Sequence, residues 1–349
     1  MISFRKEIGI DLGTSSTRVC LKRGEIVLDE ATMLVVTDNV RRSLRAIGEN
    51  AMSMVGRTAP DEVAIRPLRQ GRIKEFELAE DLLRYFIRKS IGASYLFKPK
   101  ALISIPCGLS PIDRRVLRDA ALKAGIQKNS LHLIEKPFAS ALGADLDIFS
   151  HKASMVIDIG GGTTEIGLIA SGGFIGYRSI AIGGVAFDEA IMSHIQKQYN
   201  MLIGDRVAEN IKIDRGSAVA PEQNMQFQVR GREMTTGLPR IVDMSLSELW
   251  EVLCPLCSQI ADNAQNILKK APPEAAADVL TEGVVLTGGG SLLSGFESFM
   301  SESLLGMPVH TAREPDFCCV KGLSKLLDND EHLAIVERLG RFRDEEVLV

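Results

Sequence analysis

The 349-residue chain has no uninterrupted apolar run of the roughly 18 residues that a transmembrane helix requires. Its first residues, MISFRKEIGIDLG, lack the apolar core and small-residue cleavage site of a secretory signal, so a cytoplasmic protein is expected. Basic charge is not in excess either. Lys and Arg total 41 against 45 Asp and Glu, a net charge of −4, and no arm is cationic enough to neutralise a nucleic-acid backbone. Zinc signatures are missing: Cys254 and Cys257 form a lone CPLC, Cys318 and Cys319 are adjacent, and the His residues fall singly without HExxH. The six Cys suit a reducing compartment. No Gly-x-x-x-x-Gly-Lys-Ser/Thr occurs, which removes the P-loop class. Aromatics are only 5 %, yet 45 % hydrophobic and 25 % charged residues make an ordinary globular composition. Disorder is thereby excluded, and the length suggests two domains, each with its own core.

What is present is a repeated pattern. Ile8, Ile10 and Leu12 alternate into a Gly-containing turn, and Val19 and Leu21 resume the alternation, as in a β-hairpin. The pattern recurs 147 residues later, so that IDLGTSST (Ile10 to Thr17) aligns with IDIGGGTT (Ile157 to Thr164). Asp11 matches Asp158, Gly13 matches Gly160, and Thr17 matches Thr164. Two such copies half a chain apart imply two similarly built α/β lobes. Around them, helical spacing is expected over Leu78 to Lys89, Asp113 to Ala124, Phe187 to Tyr199 and Val207 to Ile213. Ala101 to Ile105 and Val284 to Leu286 read as buried strands, Pro221 to Met244 as a strand-rich insertion, and Leu246 to Lys270 as a long helix kinked at Pro255. A further helix is expected to start near Ser291.

A hairpin with Asp ending its first strand and Gly at its tip has a chemical use. Glycines let successive backbone N–H groups approach a phosphate, Thr and Ser hydroxyls add donors, and a carboxylate can hold a hydrated Mg²⁺. One copy is weak evidence; two matching copies imply a triphosphate pinched between lobes, with Asp11 and Asp158 facing one metal. A third cluster, Gly288, Gly289 and Gly290 after Thr287, offers backbone on which a base or ribose could lie, or is simply a strand-to-helix turn. Glu209 and Lys212 stand one helical turn apart, suited to ribose and an adenine edge, or to a solvated ion pair.

In this order the motifs resemble the actin, sugar-kinase and heat-shock chaperone superfamily, and within it bacterial actins of the MreB/Mbl type. The resembling stretches include IGIDLGTSSTRV, IPCG, DRRVLRDAALKAG, VIDIGGGTTEIGLI, LIGDRVAENIKI, PPEAAADVL and VVLTGGGSLLSGF, spread over nearly the whole chain. The resemblance implies an α/β actin-like fold: two lobes with a duplicated core and four subdomains around an ATP cleft. It places residues 1–34, 71–152 and 316–349 in the first lobe's core with 35–70 as its small insertion, and 153–183 and 246–315 in the second with 184–245 as its insertion. It further implies ATP-dependent filaments on the inner face of the cell membrane that direct cell shape and wall synthesis with membrane proteins of wall elongation. Asp11, Gly13, Thr14, Ser15 and Ser16 would form the first phosphate loop, and Asp158, Gly160, Gly161, Gly162, Thr163 and Thr164 the second. Glu209 and Lys212 would meet ribose and adenine, Gly288 to Gly290 the adenosine, and Thr163 would help place the attacking water.

The departures from the family bear on mechanism. Where the family has Glu before the Pro of its Ile-Glu-Glu-Pro stretch, orienting the hydrolytic water, this chain reads LIEKP with Lys136. An ammonium has three donors and no acceptor, so weakened hydrolysis is expected; the alternative is that Glu135 substitutes. Ser16 stands where Asn is common, and Val185 follows Gly183 and Gly184 where Asp is usual. In ASYLFK, Leu96 and Phe97 beside Lys98 are expected to dip into the bilayer, or alternatively to pack inward. Met1, Ile2 and Phe4 with Arg5 and Lys6 offer a second weak contact. The competing function is a non-polymerising actin-fold ATPase or switch.

Overall fold

The computed structural model describes residues 6–39, 42–92 and 97–346, with side chains through residue 339. The alternating apolar residues form the two expected hairpins. Glu7–Leu12 pairs antiparallel with Ser16–Leu21, Ile10 opposite Val19 and Leu12 opposite Thr17. Ser154–Ile159 pairs in the same way with Thr164–Ala170, Ile157 opposite Ile166 and Ile159 opposite Thr164. Asp11 and Asp158 therefore occupy equivalent register positions, opposite Arg18 and Glu165.

Each hairpin seeds a five-stranded sheet, and the two sheets have the same order. The first runs Leu131–Glu135, Lys100–Ile105, Glu7–Leu12, Ser16–Leu21, Ile26–Ala31; the second runs Val309–Thr311, Val284–Thr287, Ser154–Ile159, Thr164–Ala170, Gly173–Ile180. In both, the Asp-bearing strand is antiparallel to its hairpin mate and parallel to its other neighbour. A strand so placed is covered on both faces, which is why Ile157 and its neighbour Val156, facing opposite sides, are both fully buried. Helix Phe76–Ile91 turns Leu78, Leu82, Leu83, Phe86 and Ile87 onto the first sheet. Helix Pro111–Lys123 begins at Ser110, whose hydroxyl accepts from the Asp113 N–H, with Pro in its first turn.

Smaller sheets lie in the two stretches read as insertions: Leu44–Ile47, Leu34–Thr37 and Glu62–Ile65 in the first lobe, Met201–Leu202, Gln226–Glu233 and Pro239–Ser245 in the second. Helix Leu246–Lys270 runs unbroken through Pro255 as one element; Pro255 and Glu251, whose carbonyl loses its donor, both lie on the exposed face, where that loss costs least. One expectation needs correcting. Residues Gly289–Leu292 form only a short 3₁₀ turn, and the helix proper is Phe296–Ser303. Leu293 is extended and Gly295 has φ 69°, so a continuous helix from Ser291 is not possible.

The lobes are joined by two helices in unusually close contact. Lys136–Gly143 lies against Cys318–Asp328, and a Cβ added at Gly322 would overlap the Ala139 carbonyl, while one at Gly143 would overlap the Cys318 carbonyl. Around this contact, Cys20 and Leu102 of the first sheet, Val156 and Ile169 of the second, and Phe138 and Leu323 of the helices share one apolar cluster. Because the obstructing atoms are backbone, they cannot swing away. Gly322→Ala is therefore expected to destabilise the fold by about 3 kcal/mol, the upper end of overpacking costs; urea unfolding measures it, with exposed Gly237→Ala not a fit control because of its φ of 72° and Ser53→Ala the better one.

Candidate nucleotide-binding site

A cavity of about 480 Å³ opens between the two hairpin tips. It is lined by Asp11, Gly13, Thr14, Ser15 and Ser16 from the first hairpin and by Asp158, Gly160 and Gly161 from the second. Gly288, Gly289, Gly290, Glu209, Lys212 and Lys136 also line it. The tips meet closely: a Cβ at Gly161 would overlap the Ser15 hydroxyl, and one at Gly162 the Thr14 hydroxyl. Glycine is required there to let one lobe's turn approach the other's.

Not every candidate faces the cavity. Gly162, Thr163, Thr164 and Glu135 are not among its lining residues. Thr164 donates its hydroxyl to the Ile182 carbonyl at 2.7 Å. Thr163 is turned toward Glu165, to which its hydroxyl donates. Glu135 ends its strand pointing the other way from the next residue, and its carboxylate accepts from Arg114 at 2.8 Å. Lys212 donates to Asp188 at 2.8 Å and to the Gly184 carbonyl at 3.1 Å, while Glu209 lines the wall. Val185 donates its N–H to the Gly161 carbonyl at 2.8 Å, so its backbone buttresses the second loop. Leu96 lies outside the described residues, as do Met1, Ile2, Phe4 and Arg5; Phe97 is 54 % exposed.

The centre of the site is a buried ion pair. Lys136 donates from Nζ to Oδ1 of Asp11 at 2.9 Å, and the Ser104 hydroxyl donates to the same oxygen at 2.6 Å. Lys136 opens its helix, a position where the helix dipole disfavours a cation, and Asp11 offsets that cost. Burial pushes the Asp11 carboxyl up, but Lys136, Ser104 and Arg18 outweigh it and hold the carboxyl below its ordinary range. For Lys136 burial opposes the charge, and attraction to Asp11, with Asp158 further off, raises its affinity for the proton. Asp158 differs from its twin: burial raises its carboxyl in spite of Lys136 and a hydrogen bond from Ser140.

Sequence reasoning missed Ser104, Ser140, Arg18 and Cys319. Arg18 pairs with Asp29 at 3.1 Å and Asp316 at 3.2 Å, donates to the Asp316 carbonyl at 2.8 Å, and covers the Phe317 ring. The adjacent Pro315 carbonyl accepts the Gly288 N–H at 2.8 Å, so Arg18 anchors the segment on which the third glycine turn rests. Its position opposite Asp11 in the hairpin was the available signal. A polar Ser104 inside the apolar run ALISI was another. Cys319, buried, lines the cavity beside the charged groups.

A hydrated magnesium ion needs carboxylate oxygens free to accept from its waters. Here Oδ1 of Asp11 already accepts from Ser104 and Lys136 and Oδ2 of Asp158 from Ser140, so these bonds engage one oxygen of each carboxylate, and an ammonium stands 2.9 Å from Asp11. Among the described residues no group of three or more His, Cys, Asp or Glu is placed to hold a metal. What the site sets against a divalent ion is charge: the Lys136 ammonium already balances Asp11.

The profile of the MreB/Mbl protein family matches residues 5–335. The chain belongs to the MreB/Mbl family. It is 39 % identical over 330 residues to the cell shape-determining protein Mbl of Bacillus cereus, covering 95 % of this chain and 98 % of that one. It is 36 % identical to the cell shape-determining protein MreB of Escherichia coli, with 93 % and 94 % covered. Among solved structures, MreB5 of Spiroplasma citri bound to ADP superposes with a TM-score of 0.86 at 30 % identity, covering 95 % of this chain and 98 % of that chain. The fold is thus that of a bacterial actin: two lobes of equivalent sheets around a cleft. No described helix is long and apolar enough to cross a membrane.

Beneath the second loop of this MreB/Mbl chain lies Glu165, fully buried, accepting from the Cys107 N–H and the Ser179 hydroxyl, both at 2.9 Å. Burial pushes its carboxyl up to about 7 from 4.5. Between those values the folded chain binds more protons than the unfolded one, so stability falls as pH rises through the window. The contribution amounts to roughly 3 kcal/mol. Unfolding by urea at pH 5 and pH 7.5 is expected to show this loss in the wild type and not in Glu165→Gln.

Proposed function

We propose that this chain binds ATP between its lobes, assembles with copies of itself into filaments on the inner face of the cell membrane, and hydrolyses its nucleotide slowly. Support for the ligand comes from the family and from MreB5 of Spiroplasma citri, solved with ADP and with AMPPNP. On this reading Asp11, Gly13, Thr14, Ser15 and Ser16 receive the phosphates from one side. Asp158, Gly160, Gly161, Gly162, Thr163 and Thr164 receive them from the other, the last three through their backbone, since their side chains are spent or absent. Glu209, Lys212 and Gly288 to Gly290 take the nucleoside. The same reading assigns the large sheets to two lobe cores and the small sheets to insertions, giving four subdomains. Membrane proteins of wall elongation are the expected partners, and nucleic acid is not.

The observation that carries slow hydrolysis is the Lys136–Asp11 pair at 2.9 Å inside the cavity. A water attacking the terminal phosphate needs an acceptor to orient it and draw off its proton, and a general base contributes roughly 10²–10⁴-fold. Lys136 offers only donors, and Glu135 is committed to Arg114. Steady-state phosphate release is therefore expected to rise at least about tenfold in Lys136→Glu, measured beside the wild type with ATP. Equal and brisk release in both proteins ends the idea. Pelleting with ATP tests assembly, and a monomer at every concentration would instead indicate a non-polymerising switch.

Membrane attachment rests on Phe97, more than half exposed beside Lys98 in the loop before Pro99. Burying one Phe side chain contributes about 2 kcal/mol, which a polymer multiplies by avidity. Co-sedimentation of filaments with anionic liposomes is expected to drop at least about tenfold when Leu96 and Phe97 are both changed to Ser. Undiminished binding would leave the loop without this role.

A further inference from the structure

We propose that the ammonium of Lys136 takes the electrostatic place of a divalent cation between the lobes, so that this chain binds ATP with an affinity independent of magnesium. The inference rests on the nucleotide reading above and goes one step beyond it. A polyphosphate approaching two buried carboxylates meets repulsion, which a metal ion ordinarily relieves. Here a cation is already covalently present. Lys136 lines the cavity, is pinned to Asp11 at 2.9 Å and attracts Asp158 as well. Among the described residues one of its three N–H donors is used, on Asp11, and the others are available to phosphate oxygens.

The other cationic groups in the wall are committed elsewhere: Arg18 to Asp29 and Asp316, Lys212 to Asp188 and the Gly184 carbonyl. The wall as a whole carries four acids against three bases. A Glu at position 136 would make it five against two, a cavity that repels free ATP unless a metal accompanies it. Lys136 therefore decides the metal requirement, because its charge already balances Asp11, whose Oδ1 it shares with the Ser104 hydroxyl.

The test is calorimetric titration of the full-length protein with ATP, once in magnesium and once in excess EDTA. The expected result is a wild-type Kd that differs by no more than about threefold between the two. Lys136→Glu is expected to lose at least about thirtyfold in EDTA and to recover in magnesium. Lys136→Met, of similar shape and without charge, guards against a Glu variant that fails to fold, and is expected to weaken at least about tenfold in EDTA alone. Tight wild-type binding in magnesium with loss of about thirtyfold or more in EDTA overturns the inference and leaves the nucleotide reading standing. Metal-free binding retained by both variants also overturns it, because Lys136 would then not be the cation. Absence of ATP binding under either condition overturns both.

Discussion

The closest constraint in the molecule is the contact between the helix that begins at Lys136 and the helix that begins at Cys318. Both segments cross between the lobes, and they meet backbone to backbone at Gly143 and Gly322, with no side chain between them. Interiors pack densely and do not deform gradually, so this contact sets the distance between the two sheets. The helix at Lys136 also carries Ser140, which donates to Asp158 of the second sheet, while Lys136 itself donates to Asp11 of the first. One helix of eight residues thus ties both aspartates to the same rigid junction. Any movement of the lobes must pass through it.

The duplicated sheets supply symmetry, and the junction breaks it. Asp11 and Asp158 sit at identical hairpin positions, yet one is held ionised by Lys136 and the other is pushed by burial toward its neutral form. Two carboxylates facing one anion need unlike environments, since like charges in a dry cleft cannot both remain without a counter-charge. Lys136 supplies that counter-charge to Asp11. Stabilising an anion and activating water against it make opposite demands on one side chain, and an ammonium, with donors only, is chemically suited to the first. The surrounding charges follow suit: Arg18 is given over to Asp29 and Asp316, and Lys212 to Asp188 and the Gly184 carbonyl.

Both hairpins, their turns and most of the helices were legible in the chain, because period-two and period-3.6 alternation and glycine conformational freedom act over a few residues. Even the equivalence of Asp11 and Asp158 is a local fact stated twice. The misreading was local as well: Leu293 with Gly295 delays a helix that periodicity alone would start earlier. Ser104 and Arg18 were hidden for a different reason. Each stands out locally, but their roles depend on partners 93 and 298 residues away, and no window along the chain identifies those partners.

Lys136 shows the same division in one residue. From sequence alone follow its place before Pro137 at the start of a helix, its positive charge, and the lack of any acceptor on its side chain. That its ammonium enters the cleft while Glu135 turns to Arg114, and that it finds Asp11 at a separation of 125 residues, was decided only when the two lobes closed. Local chemistry fixes what a side chain is able to do, whereas the field and the neighbours that select among those abilities are assembled by tertiary packing.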